Sequence, residues 1–221
     1  MPIDSRFVVR SSAGRGRLAL YGPVLALAIL GALAPERAQA QAAIPMPQVW
    51  TGRMLVPEGA EPGLTGDSFE LRIFHPSKDE EVAGLVTALE KGGQAALRNQ
   101  MYTLQPKGWI RIGKLAATDV VFVRVVDLPD GRRRVRLCSD HPLRLYDKTD
   151  PAGSTAHPFA YLELLVDASG KGTGSLVASA SLAGADGDLK IESAGLPVIQ
   201  VYDVVTDSPP AAKPPAAPAQ P

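Results

Sequence analysis

The chain has 221 residues, with 23 basic and 23 acidic side chains and a formal charge of zero. That balance gives no electrostatic case for nucleic acid, which calls for a strongly basic surface. A single cysteine, Cys138, excludes an intrachain disulfide, so the domain must rest on a packed core, which one domain of this length can bury.

The first forty residues read as an export signal. Arg6, Arg10, Arg15 and Arg17 make a basic start, Leu18–Leu33 an apolar run, and Ala38-Gln39-Ala40 a small-residue cleavage site. The run is shorter than the roughly 20 residues a spanning helix needs and contains Pro23. Cleavage before Gln41 is therefore expected over an anchor, leaving no transmembrane segment. No cysteine at the cut supports a lipoprotein, and Arg15-Gly16-Arg17 is not a twin arginine. Residues 1–40 hold five of the basic and two of the acidic groups, so the rest carries 18 against 21, a charge of −3.

Residues 41–48 read as a flexible arm and 49–207 as one globular β-rich domain. A first strand is expected over Val49–Val56, then a Gly/Pro-rich loop over Pro57–Gly66. Ser68–His75 alternates, with Phe69, Leu71 and Ile73 on one face and Glu70 and Arg72 on the other, as a half-buried strand does. Ser77-Lys-Asp-Glu80 has the pattern of a capping box, with the Ser77 hydroxyl as cap and Glu80 reaching back. The helix behind it, Lys78–Lys91, places Val82, Leu85, Val86 and Leu89 on one stripe. Gly92 and Gly93 stop it. A second helix runs over Gln94–Thr103, with Leu97 and Met101 on one side. Both read as cover for a sheet.

Strands are then expected over Trp109–Ile112, Val120–Val126 (buried on both faces), Arg132–Ser139, Phe159–Val166, Gly174–Leu182, Leu189–Glu192 and Val198–Val205, with a short one over Leu143–Tyr146. Leu128–Gly131, Asp167–Gly170 and Ala185–Asp188 read as tight turns, and Asp147–Thr155 as a loop. About eight to ten short strands with turn signals argue for an antiparallel curved sheet, sandwich or half-open barrel. With one helical hairpin inserted after the second strand, the class is α+β, mainly β. Six of the last fourteen residues, 208–221, are proline, and this Pro/Ala-rich tail reads as extended and disordered.

No motif announces chemistry or a cofactor. Gly170-Lys-Gly-Thr-Gly174 lacks the phosphate-loop spacing and joins two strands. His75, His141 and His157 each precede a proline and are too far apart for a local metal motif. Ser139-Asp140-His141 carries the letters of a hydrolase triad, but neighbours on an extended chain point to opposite sides. Glu70 and Glu163 make a carboxylate pair any sheet offers by chance. Cys138 reads as a buried small hydrophobe rather than a nucleophile paired with His141. Arg132, Arg133, Arg134 and Arg136 read as charge protecting a hairpin edge.

Six segments, Ser77-Lys-Asp-Glu-Glu-Val82, Gly92-Gly-Gln-Ala-Ala-Leu97, Lys107-Gly-Trp-Ile-Arg-Ile-Gly113, Asp130-Gly-Arg-Arg-Arg-Val-Arg-Leu137, Pro158-Phe-Ala-Tyr-Leu-Glu-Leu164 and Gly170–Gly174, together resemble a group of uncharacterised exported bacterial proteins with a signal peptide. The resemblance implies a bacterial, exported protein and brings no activity, ligand or catalytic residue. The expectation is a periplasmic or secreted domain that binds, without catalysis, an envelope protein or a small apolar ligand. A hydrolase with a site not visible in the sequence, and a structural cell-envelope protein, are the alternatives.

Overall fold

The structure is a computed structural model that describes residues 46–55, 68–145, 156–195 and 197–207. The expected signal peptide, the loops over 57–66 and 147–155, and the Pro-rich tail lie outside the described residues. The strands are β1 (Gln48–Met54), β2 (Ser68–Ile73), β3 (Gly108–Ile112), β4 (Thr118–Val120), β5 (Phe122–Asp127), β6 (Arg133–Ser139), β7 (Phe159–Val166), β8 (Lys171–Ala185), β9 (Asp188–Ala194) and β10 (Val198–Thr206). One helical element, α1 (Asp79–Met101), follows β2. Among the described residues no helix is long and apolar enough to cross a membrane.

The strands form one antiparallel sheet in the order β4-β3-β2-β1-β10-β8-β7-β6-β5, with β9 paired to β8. Its two ends are consecutive pieces of chain. β4 pairs with β3 and β5 with β6, and Val121 alone separates them. The Val121 N–H donates to the Cys138 carbonyl at 3.0 Å, while the Val120 carbonyl accepts from the Lys107 N–H at 2.7 Å. One continuous segment thus serves both edges, and the sheet becomes a nearly closed, up-and-down barrel. Alternation breaks where the partner changes. Val120 and Val123 face the interior, but Val121 and Phe122 both face outward into a second core.

The interior is filled from every side: Trp50, Leu71, Ile110, Leu137, Leu162, Leu176 and Ile199 are all almost fully buried there. Gly52 lies on the inward face of β1 because a Cβ would strike the Phe69 ring. The outer core lies over the opposite face of β5–β9. Val82, Leu85, Leu97 and Met101 of α1 pack there on Phe122, Phe159, Tyr161, Leu182 and Leu189. The expected apolar stripe is therefore sheet cover, with Val86 and Leu89 at its margin.

Gly92 and Gly93 do leave helical geometry, as expected, so α1 is two helical stretches across a kink; Gly93 sits at φ 65, where a side chain would be strained. Other expectations shift. The cap lies one residue later than expected. The Lys78 N–H donates to the Glu81 carboxylate at 2.8 Å. Ser77 instead is buried and accepts from the Val123 N–H at 3.1 Å, tying the β2–α1 link to β5. Leu143–Leu145 forms no strand. Leu143 and Leu145 turn into the barrel, and the Leu143 N–H donates to the Ala178 carbonyl of β8 at 2.9 Å. β6 is not an edge: it pairs with β5 and β7, so its arginines are not edge protection. The Asp186–Gly187 turn between β8 and β9 has φ of 55 and 71, the backbone of a tight hairpin turn favoured by an Asp-Gly pair.

Candidate functional site

The sheet and its connections leave a pocket of about 350 Å³ at one end of the barrel. Ile110 and Ile112 of β3, Leu115 and Ala116 of the β3–β4 turn and Thr118 of β4 form one wall. The other is the segment His141–Leu145, which leaves the end of β6 and lies across the barrel mouth. Pro142 removes a backbone donor there, and the segment is held instead by the Leu143–Ala178 hydrogen bond. Deeper in, the interior is packed. A cavity of only about 10 Å³ lies among Ile110, Leu137, Leu162 and Leu176. The volume at the mouth falls at the small end of the roughly 300–1,000 Å³ typical of ligand pockets.

Besides Thr118, two polar side chains, Arg144 and His141, join the apolar lining. Arg144 is exposed, with no acidic partner among the described residues. His141 is half-exposed, and its Nδ1 lies 2.5 Å from the Asp140 carboxylate. That contact assigns the proton of a neutral ring to Nδ1 and leaves Nε2 as an acceptor. Ser139 does not complete a triad: its hydroxyl donates to the His141 backbone carbonyl.

The remaining candidates are dispersed. His75 is exposed, and its ring Nδ1 lies 3.4 Å from the neighbouring Pro76 carbonyl. His157 packs over Gly195, where a Cβ would strike the ring. Among the described residues no group of three or more His, Cys, Asp or Glu could hold a metal ion. Cys138 is fully buried in the outer core, and desolvation, helped by the Asp140 charge, pushes its thiol pKa well up, away from nucleophilic use. Gly170–Gly174 is the β7–β8 hairpin. Asp167 accepts from the Ser169 and Lys171 N–H groups, and a Cβ at Gly172 or Gly174 would strike the β7 backbone.

Glu70 and Glu163 sit apart in different ion pairs. Glu70 pairs with Arg111 directly across β2 and β3. Glu163 accepts from Arg136 at 2.9 Å and lies 3.6 Å from Arg134. Arg136 is buried and also donates to Asp188 at 2.8 Å, pinning the β8–β9 hairpin to the outer face of β6. Burial alone would lower the Arg136 pKa; Glu163, the Tyr161 phenol and Asp188 outweigh it and hold the guanidinium above its ordinary value. The Tyr161 phenol is pushed well up, by burial first and then by Glu163.

Three features escaped the sequence reading. The Gln94 amide donates to the Leu182 carbonyl at 2.7 Å and accepts from its N–H at 3.0 Å, continuing the ladder of β8 from the helix. Gln48 and Trp50 face the interior, and their side-chain polar atoms have no partner among the described residues. The pocket itself is the third. Leu143 and Leu145 looked like a strand, and only the return of β8 makes them a wall. Compared with protein-family models, curated proteins and solved structures, the chain finds no match.

Proposed function

We propose that this domain binds a small, largely apolar ligand in the pocket at the barrel mouth. The observation that carries the reading is an apolar pocket of about 350 Å³ at the end of a barrel whose described interior residues pack around a cavity of only about 10 Å³. An eight-stave barrel is wide enough to hold either its own side chains or one small ligand. This one does the first at its centre and leaves room for the second at its end. The basic start, apolar run and Ala38-Gln39-Ala40 site support action outside the cytoplasm, in the periplasm or the medium of a bacterium. Titration with the uncharged dye N-phenyl-1-naphthylamine tests the pocket: saturable fluorescence is expected, and Ala116→Trp, which fills the open wall, should abolish it. A dye response identical in the variant overturns the assignment.

A hydrolase is the second reading, supported by the Asp140–His141 pair on the pocket wall, an arrangement of base and orienting carboxylate. Binding is favoured because the adjacent hydroxyl, Ser139, is committed to a backbone carbonyl. Turnover of a short p-nitrophenyl ester that His141→Ala removes would reverse that preference.

A further inference from the structure

We propose that the ligand is an anionic amphiphile, its apolar body between β3 and the Leu143–Leu145 segment and its anionic head on the Arg144 guanidinium. The inference rests on the binding reading above and adds the charge of the ligand. Arg111, Arg124, Arg132, Arg133, Arg134 and Arg136 each lie in ion-pair reach of a carboxylate. Arg144 has no such partner among the described residues, yet it lines an apolar pocket. No carboxylate among the described residues lines that pocket. The nearest acid among the described residues of this stretch, Asp140, is held by His141 Nδ1; Asp147 lies outside the described residues.

A guanidinium offers a planar fork that matches a carboxylate or a phosphate. A neutral or cationic ligand of the same shape would gain nothing from this fork, and a cation would be repelled. His141 takes a different part. In a neutral ring with Nδ1 donating to Asp140, Nε2 accepts, which suits a hydroxyl on the ligand.

The test is displacement of N-phenyl-1-naphthylamine from the full protein at neutral pH by octanoate, 1-octanol and octyl phosphate. These share a chain and differ in the head. Octanoate should displace the dye at a concentration about tenfold or more below octanol, since a charge-assisted pair is worth about that factor. Arg144→Gln should remove this preference, read as the ratio of octanoate to octanol displacement within the variant; Arg144→Lys should keep most of it. A preference for octyl phosphate over octanoate, lost in the same variant, supports the anion and assigns a phosphate head. Equal displacement by octanoate and octanol from protein that binds the dye overturns the anionic head and leaves the pocket standing. Full octanoate preference in Arg144→Gln overturns the role of Arg144. Failure of the dye and all three competitors to bind overturns the pocket reading itself.

Discussion

Leu162 and Leu85 are both fully buried leucines, but they belong to cores built in different ways. Leu162 lies inside the barrel on β7, which backbone ladders to β6 and β8 hold on both sides. Leu85 lies in the outer core, where one wall is a helix with no ladder to the sheet. That wall is fixed by side chains instead: Gln94 on Leu182, Ser77 on Val123 and Lys107 on Glu81 at 2.6 Å. Placement inside is set by topology and outside by specific polar contacts; the buried Arg136–Asp188 pair lies on the outer side, while the buried Arg133 shares the β6 face of Val135 and Leu137. The pocket follows the same division, because it opens where the ladder stops and the Leu143–Leu145 segment takes over.

Truncating each leucine tests this contrast most strongly. Leu162→Ala should cost about 4–5 kcal/mol and Leu85→Ala about 2–3, opposite ends of the range for buried leucines. A braced ring cannot close over the lost volume, whereas α1 can settle. Urea unfolding of both variants measures the difference, and equal costs would mean that α1 is held as rigidly as a strand. Asp188→Ala comes next. It leaves the buried Arg136 with Glu163 only, and should cost about 2–3 kcal/mol, somewhat under the loss of a sole partner from a buried pair. If the β8–β9 hairpin loosens, hydrogen exchange at Leu189 should rise in that variant while exchange at Leu137 stays low.

Periodicity made most of the barrel legible, since inward residues such as Phe69, Leu71 and Ile73 alternate with outward ones. The helix stripe was legible for the same reason. What periodicity cannot show is which strands meet at the ends. Val120–Val126 reads as one strand buried on both faces, and it is buried so only over Val120–Val123; that it serves two partners by breaking at Val121 depends on β3 and β6 arriving on either side. The arginines of β6 were misread because alternation does not tell an edge strand from an inner one. Gln94 had no local signal: its partner is 88 residues away. The pocket residues fared similarly. His141 invites a reading as metal ligand or partner of Cys138, while Arg144, on the same wall, has nothing in its local pattern to mark it.

Acid should loosen the outer core before the inner one. Burial pushes the Glu81 carboxyl up, but Lys107 and the Lys78 N–H and charge outweigh it and hold the pKa below its ordinary 4.5. A folded value below the unfolded one gives stability that is present above the unfolded value and disappears as pH falls through the folded one. Thermal midpoints should therefore drop between about pH 5 and pH 3, and Glu81→Gln should flatten that slope while lowering the midpoint at neutral pH. A slope unchanged by the substitution would place the acid sensitivity in another carboxylate.

The smallest effect is expected where the outer face has no cover. Glu70 and Arg111 stand opposite each other on β2 and β3, beyond the reach of α1, and their side chains are 33% and 48% exposed. Water screens this pair, and its attraction must also offset the ordering of two long side chains. Glu70→Gln should change stability by about 0–1 kcal/mol, with the difference shrinking as salt is added. The Arg136–Asp188 contact is also a guanidinium with a carboxylate, so the two substitutions differ chiefly in what covers the pair. A loss at Glu70 as large as that at Asp188 would show that cross-strand geometry, rather than cover by the β8–β9 hairpin, sets the strength of these ion pairs. The division between inner and outer layers would then fail at the point where it is simplest to measure.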